Sequence, residues 1–142
     1  MAVVQRKDIL TAYKVQPEYY SDFLDDFDIH PVKKDLVRYT NENAVKRSIK
    51  NLLMTNRGER LFQNDIGSDI RGLLFEHATP ATEQMLADLI KNTIADYEPR
   101  ATVESVDVST SVDQHYMTAT IIFTIINKQE PVTLEVVLDR IR

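Results

Sequence analysis

The stretch Asp96-Tyr97-Glu98-Pro99-Arg100 holds the residues of this chain best placed to do chemistry. A proline directly after Glu98 biases that residue away from αR, so a helix running into the segment stops there. The acid is then left at the negative end of a helix dipole, which costs a few tenths to ~1 kcal/mol unless a cation compensates it. Side chains alternate along extended backbone, so Glu98 and Arg100 project to the same side of the turn. The outcome is an acid and a base on a stiff corner, a device suited to charge-paired docking and separable from the fold that carries it. Taken alone, the three residues are more simply read as a helix-ending proline between two solvated charges.

Little else in the chain is arranged for chemistry. Glycoside hydrolysis needs two carboxylates at a set separation. Glu98 and Asp107 are the only pair to consider, nothing in the sequence sets their distance, and Asp107 occupies a solvent-facing strand position. His30, His77 and His115 are scattered without metal-ligand spacing, and no nucleophile elbow or phosphate loop occurs. The expectation is a protein that is not an enzyme, with no catalytic residues, no metal and no cofactor.

Composition narrows the classes further. The 142 residues, 43% hydrophobic and 27% charged, fit one domain with a sizeable core. The formal charge of -5, from 22 acids against 17 bases, argues against nucleic acid as a partner, which normally calls for a basic excess. Cysteine is absent, which removes disulfides, thiolate chemistry and Cys-ligated metals. Met1 to Lys7 lacks the apolar run of a signal peptide, and no apolar segment is long enough to span a bilayer, so no membrane role is expected. Three glycines and five prolines leave little room for flexible linkers.

The elements that must position the Glu98 corner follow from periodicity. The first ~36 residues stand apart as an aromatic and acidic arm, with Tyr13, Tyr19, Tyr20, Phe23 and Phe27 among Asp22, Asp25, Asp26 and Asp28. Such anchors pack either on a partner's surface or back on the chain's own core; their lack of a clear period favours ordering on a partner. A helix follows over about Glu42–Thr55, with Val45, Ile49, Leu52 and Leu53 as its stripe, Asn41 or Asn43 as cap, and Gly58 as a terminator. Gly67-Ser68-Asp69 offers a turn and cap for a short helix over Ile70–Phe75. Thr79, Pro80 and Glu83 start a second long helix, whose buried stripe reads Met85, Leu86, Leu89, Ile90, Ile94 and Tyr97. After Arg100 the period becomes two. Val106 and Val108 alternate with polar residues, and Val103 falls out of phase, which predicts a bulge or a shift of face. Val112–His115 reads as a turn, Tyr116–Ile126 as a strand with Ile121, Phe123 and Ile125 on one face, and Asn127–Glu130 as a second turn. Val132, Leu134, Val136 and Leu138 line one face of the last strand. Helices followed by a meander make the fold α+β: two main helices and a short helix packed on an antiparallel C-terminal sheet. A last strand exposes an edge that is either blunted by Lys128, Glu135 and Asp139 or used to pair another chain.

Several motifs stand in order: Val45-Lys46-Arg47-Ser48-Ile49-Lys50-Asn51-Leu52-Leu53, Thr55, Gly58-Glu59-Arg60-Leu61-Phe62, Gly67, Leu74-Phe75-Glu76 and Glu98-Pro99-Arg100. The ordered set closely resembles the baseplate wedge and sheath-initiator family of contractile-tailed phages, with relatives in contractile injection systems and type VI secretion baseplates. The similarity covers residues 37–142 and leaves 1–36 unmatched. It implies a structural protein whose Glu98, Pro99 and Arg100 dock on the helical core of the baseplate wedge. It also implies that the hairpin of Tyr116–Asn127 and Val132–Ile141, with Val132, Leu134, Val136 and Leu138 on its last strand, templates the first ring of sheath subunits. Gly58, Glu59, Arg60, Phe62 and Gly67 belong to the motif without an assigned role. The implied partners are baseplate wedge proteins and the tail sheath protein, with tail tube or hub proteins as further candidates. The implied place is the tail baseplate of the virion, assembled in the host cytoplasm. Some members carry a lysozyme-like label, so a peptidoglycan-degrading tail enzyme is the alternative.

Overall fold

A computed structural model describes residues 19–24, 27–77, 79–111, 116–126 and 128–139. The chain divides into two compact units, Met1–Asn41 and Glu42–Arg142.

In the first unit, β1 (Ser21–Phe23) pairs antiparallel with β2 (Arg38–Thr40), with Asp22 opposite Tyr39. Asn41 Oδ1 accepts hydrogen bonds from the Tyr19 and Tyr20 N–H groups, which holds the start of β1 beside the end of β2. His30 Nδ1 accepts from the Val32 and Lys33 N–H groups and closes the turn between them. Tyr19, Phe23 and Phe27 are exposed and Tyr20 is half-buried. Tyr13, the remaining aromatic of the arm, lies outside the described residues.

The second unit carries α1 (Glu42–Met54), the short α2 (Ile70–Leu74), α3 (Pro80–Tyr97) and a three-stranded meander of β3 (Ala101–Ser111), β4 (Tyr116–Ile125) and β5 (Lys128–Asp139). Strand order is β3-β4-β5, all antiparallel, so β4 is central and β3 and β5 form the two edges. α3 packs on the sheet at β3, and α1 and α2 pack on α3. The core closes where Val45 and Ile49 of α1, Ile90 and Ile94 of α3, and Ile121 and Phe123 of β4 lose all contact with water. Among the described residues no helix is long and apolar enough to cross a membrane.

Local sequence explains the elements. The start of α3 is as expected: the Thr79 hydroxyl accepts from Thr82 N–H and Pro80 occupies the first turn, where its missing donor is harmless. The Val103 phase change is a bulge, with the ladder shifting between Val103 and Ser105 so that Glu104 is the extra residue. The shift puts Val103, opposite Phe123, on the same face as Val106, opposite Ile121. Alternation is complete on β4, where Met117, Ala119, Ile121, Phe123 and Ile125 are buried and their neighbours are not.

Four readings change. Met85 is 56% exposed and does not belong to the α3 stripe, where Ala87 and Thr93 are buried. Gly58 does not end α1; the helix stops at Met54 and Gly58 lies in the loop beyond it. Asp69 sits at the N-cap of α2 without a side-chain cap bond: its backbone, at φ -93° and ψ 23°, departs from the extended conformation usual for a cap, and its carboxylate stands 3.5 Å from Arg57. Lys128 already belongs to β5, opposite Ile125, inside the segment read as a turn. The irregular pairing instead falls between Phe123 and Ile125, and Pro131 lies in that stretch of β5, where a residue lacking N–H is tolerated. The Val112–His115 turn and Ile141 lie outside the described residues.

Candidate functional site

The Glu98 corner is built where α3 meets β3. Glu98 caps the helix with a backbone bond from its N–H to Ile94 C=O at 2.8 Å, and Ala101 N–H bonds back to Glu98 C=O at 3.1 Å. The helix therefore stops where Pro99 demands it, and the turn is closed by backbone before any side chain acts. Arg100 then grips the carboxylate with two donors, Nε to Oε1 at 2.5 Å and Nη2 to Oε2 at 2.7 Å. Ser48 Oγ, from the middle of α1, donates to Oε2 at 2.5 Å.

This arrangement overturns the picture of two solvated charges, and with it the idea that the corner is separable from the fold. Glu98 is only 3% exposed. Burial alone pushes its carboxyl up; hydrogen bonds from Arg100 and Ser48, with the Arg100 charge, outweigh this and hold it below the usual carboxylate range. Glu98 thus fastens α1 to the end of α3 and to the first residue before β3. Pro99 stays exposed and the Arg100 side chain 36% exposed, so these two form the outward part of the corner.

Ser48 was not singled out from sequence. One signal was present: it lies on the apolar stripe, three residues after Val45 and next to Ile49, and a polar residue there calls for a buried partner. A second link, between Lys128 Nζ and Glu42 Oε2 at 2.9 Å, joins the start of β5 to the first turn of α1. Glu42 also pairs with Lys46 one turn on, at 2.8 Å.

The carboxylate pair considered for hydrolysis is not assembled. Asp107 lies on β3 opposite Thr120, on the face away from the core. Six residues of strand separate it from Ala101, about 20 Å at ~3.3 Å per residue, far beyond the ~5–9.5 Å used by glycosidases. Both Glu98 oxygens are also occupied. No cluster of three or more potential metal ligands occurs among the described residues.

The remaining motif residues build one loop between α1 and α2. Gly58 N–H bonds Asn64 C=O at 2.8 Å and closes its neck. Glu59 and Asn56 hold each other, the carboxylate accepting from Asn56 N–H at 3.0 Å and Glu59 N–H donating to Asn56 C=O at 3.1 Å. Asn56 and Ser68 form a parallel bridge, and Ser68, itself buried, donates through Oγ to Leu53 C=O at 2.7 Å. Gly67 has φ +139°, and a Cβ there would stand 2.7 Å from the Asn56 carbonyl carbon. Tyr97, the last residue of α3, donates its hydroxyl to Asp65 C=O at 2.5 Å. Arg60 and Phe62 take no part in this scaffold and face water.

The sheet edge can be assigned from two bonds. Ile126 N–H bonds Arg100 C=O, while Ala101 N–H is taken by Glu98. Even-numbered β4 residues therefore bond toward β3 and odd-numbered ones toward β5. Through the register, the backbones of Val132, Leu134, Val136 and Leu138 bond inward to β4, and those of Thr133, Glu135 and Val137 point to the outer edge. The side chains of Val132, Val136 and Leu138 are buried and Leu134 is half-buried, so the four residues serve the core and only the alternate backbone groups are available for pairing.

Comparison with known proteins places this geometry. The chain is 28% identical over 99 residues to baseplate wedge protein gp25 of Enterobacteria phage T4, covering 70% of this chain and 75% of that protein. A putative tail lysozyme from Geobacter sulfurreducens shares the fold with a TM-score of 0.65 at 22% identity, covering 69% of this chain and 89% of the other. So does a chain of the anti-feeding prophage baseplate, with a TM-score of 0.60 at 18% identity and 87% of each chain covered. Residues 40–130 match the family of baseplate wedge protein gp25, and with well over half the sequence matched, the chain belongs to that family of structural baseplate proteins of contractile tails.

Proposed function

We propose that this protein docks on the core of the baseplate wedge through its Glu98-Pro99-Arg100 corner and templates the first ring of sheath subunits along the outer edge of β5. The observation that carries the reading is the free edge itself: no further strand among the described residues pairs with β5, and Thr133, Glu135 and Val137 aim N–H and C=O groups outward. A neighbouring chain gains main-chain hydrogen bonds by adding a strand there. The corner divides its labour. Glu98 is a positioning residue, and Pro99 with the outer face of Arg100 meets the wedge. Wedge proteins and the sheath protein are the partners, tail tube or hub proteins adjoin them, and assembly takes place in the host cytoplasm before the baseplate becomes part of the virion. The first unit acts as an arm on neighbouring subunits. Nothing in the site favours the lysozyme alternative, and the reading requires no chemical step.

Proline substitution tests the edge. Thr133→Pro removes an outward N–H and leaves the β4 ladder intact; Leu134→Pro removes an inward bond to the Ile121 position and is expected to cost ~3 kcal/mol or more. Thr133→Pro should fold, enter baseplates and leave them bare of sheath in electron micrographs. Sheaths of normal length on those baseplates would rule out templating by β5. Docking is read separately on Arg100→Lys, which keeps a cation beside Glu98 and loses the two-pronged guanidinium. The exchange weakens the grip on the buried Glu98 carboxylate and should lower the melting temperature, so assembly is compared at a temperature where the variant is fully folded; wedge assembly should still drop several-fold there, and wild-type assembly yields would sink the docking role.

A further inference from the structure

The loop between α1 and α2 presents its apolar tip to water. Leu61 is 85% exposed and Phe62 101%, the two most exposed large hydrophobic side chains among the described residues. Phe62 also holds φ +68°, a left-handed conformation that bulky residues seldom adopt. A floppy loop would relax both features. This one is fastened at its neck by Gly58 to Asn64, at its return by Ser68 to Leu53, and at its flank by Tyr97 to Asp65. Arg60, also exposed, precedes the pair directly. An aromatic side chain on a rigid support loses little entropy on contact, and phenylalanine and arginine are enriched in the cores of protein interfaces.

We infer that the Gly58–Gly67 loop is a docking element distinct from the Glu98 corner and the β5 edge, with Leu61 and Phe62 entering an apolar pocket rimmed by carboxylates on another baseplate protein. The baseplate reading supplies the class of partner; the chemistry of the pocket comes from the loop. Phe62 and Leu61 call for an apolar cavity, and the guanidinium of Arg60 at its mouth calls for acidic groups on the rim. The motif then separates into two tasks. Gly58, Glu59 and Gly67 shape the loop, and Arg60, Leu61 and Phe62 bind.

The test places the photoreactive 4-benzoylphenylalanine at position 62 of the full chain, produced together with the other particle proteins, with the same probe at the exposed Met85 as control. Irradiation should give an adduct with a different baseplate polypeptide from position 62, at least several-fold above that from position 85. An adduct within the same chain, or with a second copy of it, overturns the inference. In parallel, Phe62→Ser should leave the melting temperature of the free protein unchanged, since the side chain is in water, and lower incorporation into baseplates by roughly 30-fold. Arg60→Glu should lower it too, by placing like charges at the rim. Normal incorporation of Phe62→Ser, or its destabilisation in isolation, also overturns the inference. A gene deletion separates the two levels: loss of baseplates on deletion with normal baseplates from Phe62→Ser removes the loop's role alone, and normal baseplates on deletion remove the parent reading.

Discussion

Glu98→Ala and Arg100→Ala should each destabilise the isolated protein by about 2–4 kcal/mol, somewhat less than the ~3–5 kcal/mol expected for a fully buried pair because the arginine keeps a wet side. Removing Glu98 takes away the carboxylate that Ser48 and Arg100 share; removing the Arg100 side chain leaves a buried carboxylate with the Ser48 hydroxyl and the residue-100 backbone N–H as donors and no neighbouring cation from that position. The two losses share one interaction, so the double variant should cost clearly less than their sum. Glu98→Gln keeps the shape and part of the bonding and should cost about 1–2 kcal/mol. Chemical denaturation at neutral pH measures all four. A Glu98→Ala variant within ~0.5 kcal/mol of wild type would mean the corner is a surface ornament after all. The same pair predicts an acid limb. The folded carboxyl of Glu98 is depressed below its ordinary value of 4.5. Its contribution is therefore complete above that pH and is lost as pH falls through the lower, folded-state value. Glu42, lowered chiefly by Lys46 and then by Lys128, acts in the same window. The Glu98 share is the difference in slope between wild type and Glu98→Gln from pH 7 to pH 3, and equal slopes would remove it.

Gly67→Ala should be nearly as costly, about 3 kcal/mol, for a different reason. The added methyl meets the Asn56 and Arg57 backbone at 2.7–2.8 Å, and that backbone is held by the Asn56–Ser68 bridge, so it has nowhere to move. Gly58 makes the comparison sharp. It too has a left-handed φ, +83°, but a Cβ there meets nothing within 4 Å. Gly58→Ala should therefore cost only the conformational part, about 1–2 kcal/mol. Urea unfolding of the two variants separates strain from collision. Equal losses would show that the loop yields and that its rigidity, on which a fixed placement of Phe62 depends, is lower than the hydrogen bonds suggest.

Much of the framework was legible in the residues because it depends on near neighbours. Thr79-Pro80 starts α3 through a bond three residues long, and Pro99 ends it by a clash with the residue before it. The period of two from Val106 onward announced the strands, and the misplaced Val103 announced a bulge or a shift of face, which the register settles as a bulge, since side-chain alternation is a property of the single strand. What the tertiary structure decided involves partners far apart in the chain. Glu98 looked solvated until α1, fifty residues earlier, brought Ser48 over it. Met85 carries an apolar side chain at helical spacing, yet faces water, because which flank of α3 is covered depends on where the sheet and the other helices lie. Alternation gave Val132, Leu134, Val136 and Leu138 one face, but the direction of their backbone bonds follows from the register with β4, and a single strand carries no record of its neighbour. The loop motif shows the same boundary. Gly67 marked a turn and Gly58 a helix terminator, while the loop that carries Phe62 is fastened by the Ser68 hydroxyl's bond to Leu53 C=O and the Tyr97 hydroxyl's bond to Asp65 C=O, which no local spacing encodes.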